Sequence, residues 1–239
     1  MKAYYIASCV FTSRFPVLSR RIRAYIRERW DFEMVRCCVP SYKLREFTEK
    51  MPEGPLRDEW ASTPDSGAFA PGDRVYSLCH NCNNILEETR PGVQVYSLWE
   101  LIDMDQRFPY PDLSGLRATV QDCWRSRDRS DEQAAVRRVL DRMHVQWIEG
   151  ERHHAETDFC GNSLYRPQPP RNPKLAPRHY VDGTERLFLP HTEEEQTRLM
   201  TEYGRRYTTD TVICYCHYCL EGLLAGGKDG RHLAELLFG

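Results

Sequence analysis

The chain has 239 residues, 41% of them hydrophobic and 28% charged. That is enough for one large domain or two small ones at roughly 100–200 residues each, and it excludes a disordered chain or a miniprotein held only by disulfides. Lys and Arg number 33 against 35 Asp and Glu, a formal charge of -2, so no basic excess points to nucleic acid. No apolar run approaches the roughly 18 residues that span a bilayer. Met1–Ala7 lacks the long apolar stretch and small-residue cleavage site of a signal peptide and reads as a strand. The expected location is the cytoplasm, with no direct membrane span.

Ten cysteines are the unusual count. A reducing compartment disfavours a disulfide framework, so spacing must decide between buried structural thiols and metal or redox chemistry. In chain order, Tyr4-Tyr5-Ile6-Ala7-Ser8-Cys9 reads as a strand ending in Cys. Val17, Leu18, Ile22, Tyr25 and Ile26 recur at helical spacing. Phe32–Val35 is a short strand before Cys37-Cys38. Residues 52–72, rich in Pro and Gly, read as a loop. Asp73 marks a turn before a strand that runs into Cys79-His80-Asn81-Cys82, and Leu98, Trp99, Leu101 and Ile102 form a short core helix. Phe108-Pro109-Tyr110-Pro111-Asp112 is the best linker, dividing the chain into halves 1–112 and 113–239.

The second half follows the same plan. Arg117–Cys123 is a strand ending in Cys. Ser130 with Gln133 predicts a capping box for a helix carrying Ala135, Val136, Val139, Leu140 and Met143. Val145–Ile148 is a short strand, and His153-His154 reads as a solvated loop before Phe159-Cys160-Gly161. Residues 165–178 carry five prolines and read as irregular. Thr192 with Glu195 predicts a second capping box, opening a helix through about Arg206. Asp210 marks a turn before the strand that leads to Cys214 and Cys216-His217-Tyr218-Cys219. Gly226-Gly227-Lys228-Asp229-Gly230 reads as a loop before a short apolar helix at 232–237.

The halves therefore look like an internal duplication. In the first, Cys9 is followed by 27 intervening residues, Cys37-Cys38, 40 more, and Cys79-x-x-Cys82. In the second, Cys123 is followed by 36, Cys160, 55 more, and Cys216-x-x-Cys219. Phe159 stands where Cys37 stands, and Cys214 stands where Ser77 stands, which makes Cys214 the odd thiol. His80 and His217 occupy matching positions and read as helix-start or packing residues. Alternating strands and helices predict an α/β fold of two pseudo-repeated Rossmann-like half-domains with mostly parallel sheets, the cysteine sets lying at strand carboxyl ends.

Cys, then Cys-Cys, then C-x-x-C, occurring twice, resembles the cysteine-rich CCG domain family, which includes the disulfide-cleaving component of heterodisulfide reductase. The likeness covers nearly the whole chain. It departs from the pattern at Cys38-Val39, where the family has Gly, and at Phe159, which replaces a Cys. The resemblance implies that Cys9, Cys37, Cys38, Cys79 and Cys82 ligate a noncubane [4Fe-4S] cluster that is also the catalytic redox site. It implies an enzyme that reduces or forms a disulfide or other thiol-linked substrate with electrons from a partner. Cys123, Cys160, Cys216 and Cys219 would hold a second [4Fe-4S] cluster, zinc, or nothing.

No dinucleotide fingerprint, Walker A sequence or ferredoxin-type cysteine run is present to bring electrons in. The partner expected is thus a separate ferredoxin-like or flavoprotein subunit, with a small thiol or disulfide as substrate. Two other readings stay open: a non-catalytic electron-transfer subunit of a dehydrogenase complex, and a zinc-stabilised interaction module. Zinc suits four thiols and fits five poorly.

Overall fold

The computed structural model describes residues 1–166, 172–184 and 187–239. The chain forms two compact units, Met1–Leu101 with Phe238–Gly239, and Ile102–Leu237. The first contains β1 (Ala3–Ile6), α1 (Cys9–Arg14), α2 (Pro16–Arg29), β2 (Glu33–Val35), α3 (Leu44–Glu49), α4 (Pro55–Ser62), β3 (Arg74–Ser77), α5 (His80–Thr89) and β4 (Gln94–Ser97), with α6 (Leu98–Met104) following. The second contains β5 (Arg117–Gln121), α7 (Ser130–Arg142), β6 (Gln146–Glu149), α8 (Pro177–Tyr180), α9 (Glu193–Gly204), β7 (Thr211–Cys214), α10 (His217–Ala225) and β8 (Asp229–His232), with α11 (Leu233–Phe238) following. Short 3₁₀ turns at Trp124–Ser126, His154–Glu156 and Gly161–Ser163 join these elements.

Each unit is built on a four-stranded, all-parallel sheet, in the order β2-β1-β3-β4 and β6-β5-β7-β8. The predicted α/β pseudo-repeat is therefore the observed fold. Parallel strands need helical crossovers that cover both faces. This is why the central strands carry continuous runs of buried residues, Tyr4-Tyr5-Ile6 in β1 and Ala118-Thr119-Val120-Gln121 in β5. Every residue predicted to face inward from α7 is fully buried: Ala135, Val136, Val139, Leu140 and Met143. Leu98, Trp99, Leu101 and Ile102 are fully buried as well.

Several local expectations are corrected. Val17 is 52% exposed. It lies five residues before Ile22, which at about 100° per residue turns it roughly 140° away from the Ile22/Ile26 face. Residues 52–72 are not all loop, since α4 starts with Gly54 as its N-cap and Pro55 in its first turn. Pro fits there because its missing N–H would have had no helical acceptor. Helix α4 buries Trp60, and its Glu59 pairs with the buried Arg23 of α2 at 3.3 Å.

Ser130 does not cap α7. Arg129 is the N-cap, and Gln133 Nε2 instead donates to the Ser126 carbonyl at 2.8 Å. At α9 the predicted capping box forms: Glu195 N donates to Thr192 Oγ1 and Thr192 N to Glu195 Oε2. The glycine-rich 226–230 segment is a loop only at first, because Asp229–His232 pairs with β7 as β8. Asp73 anchors the start of β3, accepting from Lys2 N at 2.8 Å and Ala70 N at 3.1 Å. Asp210 is exposed, and the buried Thr209 takes the anchoring role, bonding to Thr119 Oγ1 and to the Thr211 carbonyl. Of the proline-rich stretch 165–178, residues 167–171 lie outside the described residues. The proposed linker Phe108–Asp112 packs within the second unit, where Tyr110 Oη donates to the Ile102 carbonyl.

Candidate metal centres

Strand register decides where the first cysteine set meets. Ile6 of β1 is level with Val35 of β2 and Ser77 of β3. Cys9, Cys37 and Cys79 follow those three strand ends, the edge at which open parallel sheets gather ligands. Cys79 is the N-cap of α5, and Cys82 lies within its first turn. The turn into α1 is strained: Ser8 has φ 61° and ψ 103° without being glycine, a conformation that costs on the order of 1–3 kcal/mol and tends to be kept at functional sites.

The five thiols form one connected set. Cys9 Sγ lies 3.8 Å from Cys37 Sγ. Cys37 also hydrogen-bonds with Cys38, Cys38 with Cys82, and Cys82 with Cys79. All five are buried, none more than 7% exposed. The Cys38 and Cys9 thiols hold Cys37 well below the usual thiol range, helped by the backbone N–H groups of Val39 and Cys38. The same bonds, together with burial, push Cys9 and Cys38 up. Ser8 Oγ and both polar atoms of Asn83 are buried with no hydrogen-bond partner among the described residues. They neighbour Cys9 and Cys82 in sequence. Buried polar groups left unpaired cost about 1–3 kcal/mol each, so orphans beside five soft donors suit a site that takes an inorganic group with acceptor atoms.

The second set is assembled differently. Gln121 at the end of β5 is level with Cys214 of β7, and Cys123 and Cys216 follow these strands. Cys216 is the N-cap of α10, which carries Cys219 in its first turn. Cys160 arrives on an irregular segment after β6, and its position depends on Gly161. That residue has φ 53°, and a Cβ there would lie 1.7 Å from the Tyr218 carbonyl oxygen. The first turn of α10 thus rests on bare backbone, which seats Cys160 beside Cys219. Cys123 is the hub, within hydrogen-bonding reach of Cys160, Cys216 and Cys219.

Arg125, which carries no mark in the sequence, belongs to this site. Its side chain is 1% exposed, its Nε donates to Cys160 Sγ at 3.0 Å, and its guanidinium lies 4.1 Å from the Tyr180 ring centroid. Burial pushes the Cys160 thiol up, but the Cys123 thiol and the Arg125 charge outweigh it and bring it down to about 7. Phe159, at the position of Cys37, packs against Tyr203 with ring centroids 4.7 Å apart. Cys214 lies outside the set and donates to the Cys216 carbonyl at 3.7 Å. His80 and His217 are each the first residue of their helix and 2% exposed.

Asp122, just before Cys123, is fully buried and fixes the second set from behind. Its oxygens accept from Arg137 at 2.6 and 2.8 Å, from Tyr215 Oη at 2.6 Å and from the His154 backbone N at 2.6 Å. Burial pushes its carboxyl up, but Arg137 and these donors hold it below the usual carboxylate range.

Among the described residues no disulfide forms, and all ten cysteines are buried. Nine of them fall into the two sets, so this is a cysteine-rich α/β protein with buried clusters able to bind metal. No protein-family model matches the chain, and no curated protein matches it. No helix among the described residues is long and apolar enough to cross a membrane.

Proposed function

We propose that this chain is an iron-sulfur oxidoreductase component of the kind found in heterodisulfide reductase. The observation that carries the reading is the connected set of five buried thiols at the strand ends of the first unit. A mononuclear zinc site takes four ligands, and a fifth thiol on the same network is in excess of that need. Cys9, Cys37, Cys38, Cys79 and Cys82 would hold a noncubane [4Fe-4S] cluster. When bound, such a cluster supplies single-electron chemistry and a position for a substrate sulfur. The chain's own contribution would be to keep water out and to gather the five thiols, with the orphaned Ser8 hydroxyl and Asn83 amide next to Cys9 and Cys82 in sequence.

A disulfide substrate would take two electrons and two protons in total and leave as two thiols. The electrons would come from a ferredoxin-like or flavoprotein partner. The four-thiol set of the second unit suits a closed four-coordinate centre, a cubane cluster or zinc, because Phe159 fills the place of a fifth thiol.

Cys37→Ala tests the reading. It should abolish the paramagnetic signature of a noncubane cluster, and with it the response of that signature to added small thiols or disulfides, while the thermal melt shows a folded chain. An unchanged signature in the variant would overturn the five-thiol assignment. A wild-type signature insensitive to thiols and disulfides would favour a relay subunit instead.

A further inference from the structure

The pair His153-His154, which reads in sequence as a solvated loop, is not alone in space. Glu149 at the end of β6 joins it, and the ligand atoms of all three lie within 4.8 Å of one another. The two Nδ1 atoms are 2.7 Å apart, with the rings inclined at 78°. They meet edge to edge, within hydrogen-bond distance, rather than stacking. His154 holds a left-handed backbone, φ 53°, which costs a residue other than Gly, Asn or Asp energy. Its backbone N–H is tied to the buried Asp122 carboxylate at 2.6 Å, so that conformation is imposed by the surrounding network.

The carboxylate is oriented too. Arg137 Nε and Nη2 donate to Glu149 at 3.2 and 2.7 Å while the same guanidinium bonds Asp122. A carboxylate has about four acceptor positions, so these bonds leave Glu149 able to bind a cation. Two carboxylates share one guanidinium, which leaves a residual negative charge beside two imidazoles.

We infer that Glu149, His153 and His154 form a divalent metal site, separate from the cysteine sets, for zinc or a similar borderline transition ion. Imidazole nitrogens select such ions over magnesium or calcium. Two His and one carboxylate leave coordination positions for solvent, the pattern of an open rather than a closed site. Arg137 and Asp122 act as its outer partners, fixing the ligands as supporting hydrogen bonds do at metal sites. Two nitrogens in a tetrahedral zinc sphere are about 3.3 Å apart, given Zn–N near 2.0–2.1 Å. The ion would therefore replace the direct hydrogen bond between the rings, which would open by roughly half an ångström. All three side chains are half-buried, so the ion has access from solvent.

Zinc at these three residues does not depend on what the cysteines hold, and the two can be measured apart. The full-length protein as isolated, whatever its cysteine sets contain, is equilibrated with buffered zinc, and bound zinc per chain and its X-ray absorption edge are measured. Wild type should take about one more equivalent than His153→Ala or His154→Asn, with nitrogen and oxygen neighbours. Asn tolerates the left-handed backbone, so His154→Asn keeps the turn intact. Glu149→Gln should weaken that equivalent at least tenfold. Cys123→Ser should leave it in place. Equal zinc uptake by wild type and both histidine variants, or added zinc with sulfur neighbours only, would overturn the site and leave the cysteine reading untouched.

Discussion

Arg137→Met will destabilise the chain by about 3–5 kcal/mol, the usual cost of removing one partner from a buried ion pair. Arg137 is 7% exposed, and its guanidinium is the sole side-chain cation on Asp122 among the described residues. Asp122 is fully buried, and Tyr215 and the His154 N–H are insufficient to replace a full charge. Methionine retains the length of the side chain, so the loss is electrostatic rather than a cavity. In the wild type the depressed carboxyl contributes stability that is present above its unfolded pKa, about 3.9, and is lost as pH falls through the lower folded value. In the variant burial is no longer offset by the cation and raises that carboxyl, so the penalty is largest at neutral pH. Denaturant unfolding at pH 7 and pH 4 should show the gap between the two proteins narrowing on acidification. A variant as stable as wild type at pH 7 would refute this role for the network.

Gly161→Ala will be nearly as costly, about 2–5 kcal/mol. The left-handed backbone contributes about 1–2 kcal/mol for a residue with a Cβ, and overpacking contributes typically 1–3 more. The added methyl cannot escape, because the atom it meets at 1.7 Å is the Tyr218 carbonyl oxygen on the first turn of α10. The movement that relieves the clash separates Cys160 from Cys219. The metal content of the second set should therefore fall in the part of the population that still folds, while Gly115→Ala, where a Cβ meets nothing within 4 Å, should be silent. Melting temperature and bound metal per chain, measured on both variants, check the pair.

What the sequence reveals follows from how local each signal is. The central strands announce themselves because both faces are covered, and runs such as Tyr4-Tyr5-Ile6 and Thr211-Val212-Ile213 have no other use. The sheet-edge strands β4 and β8 stay hidden. Asp229-Gly230-Arg231-His232 is polar and alternates in burial, and only pairing with β7 makes it a strand. Thr192 and Ser130 present the same capping pattern, yet only Thr192 forms the box, because the Gln133 amide is drawn inward to the Ser126 carbonyl. Both cysteine sets are legible, since C-x-x-C pairs at helix starts and repeated spacing are chain-local signals. Arg125 and the partnership of Glu149 with His153-His154 are not. An arginine two residues after a cysteine carries no sign that it turns into the core, and the carboxylate meets the histidines only through the turn that Asp122 holds.

We propose that the five-thiol set holds an iron-sulfur cluster. The most direct test is the content of iron, acid-labile sulfide and zinc per chain in protein purified without oxygen. The expected result is about four iron with matching sulfide, or about eight where the second set carries a cubane as well. Zinc without sulfide, persisting after an attempt at cluster reconstitution, would contradict it and leave a zinc-stabilised interaction module.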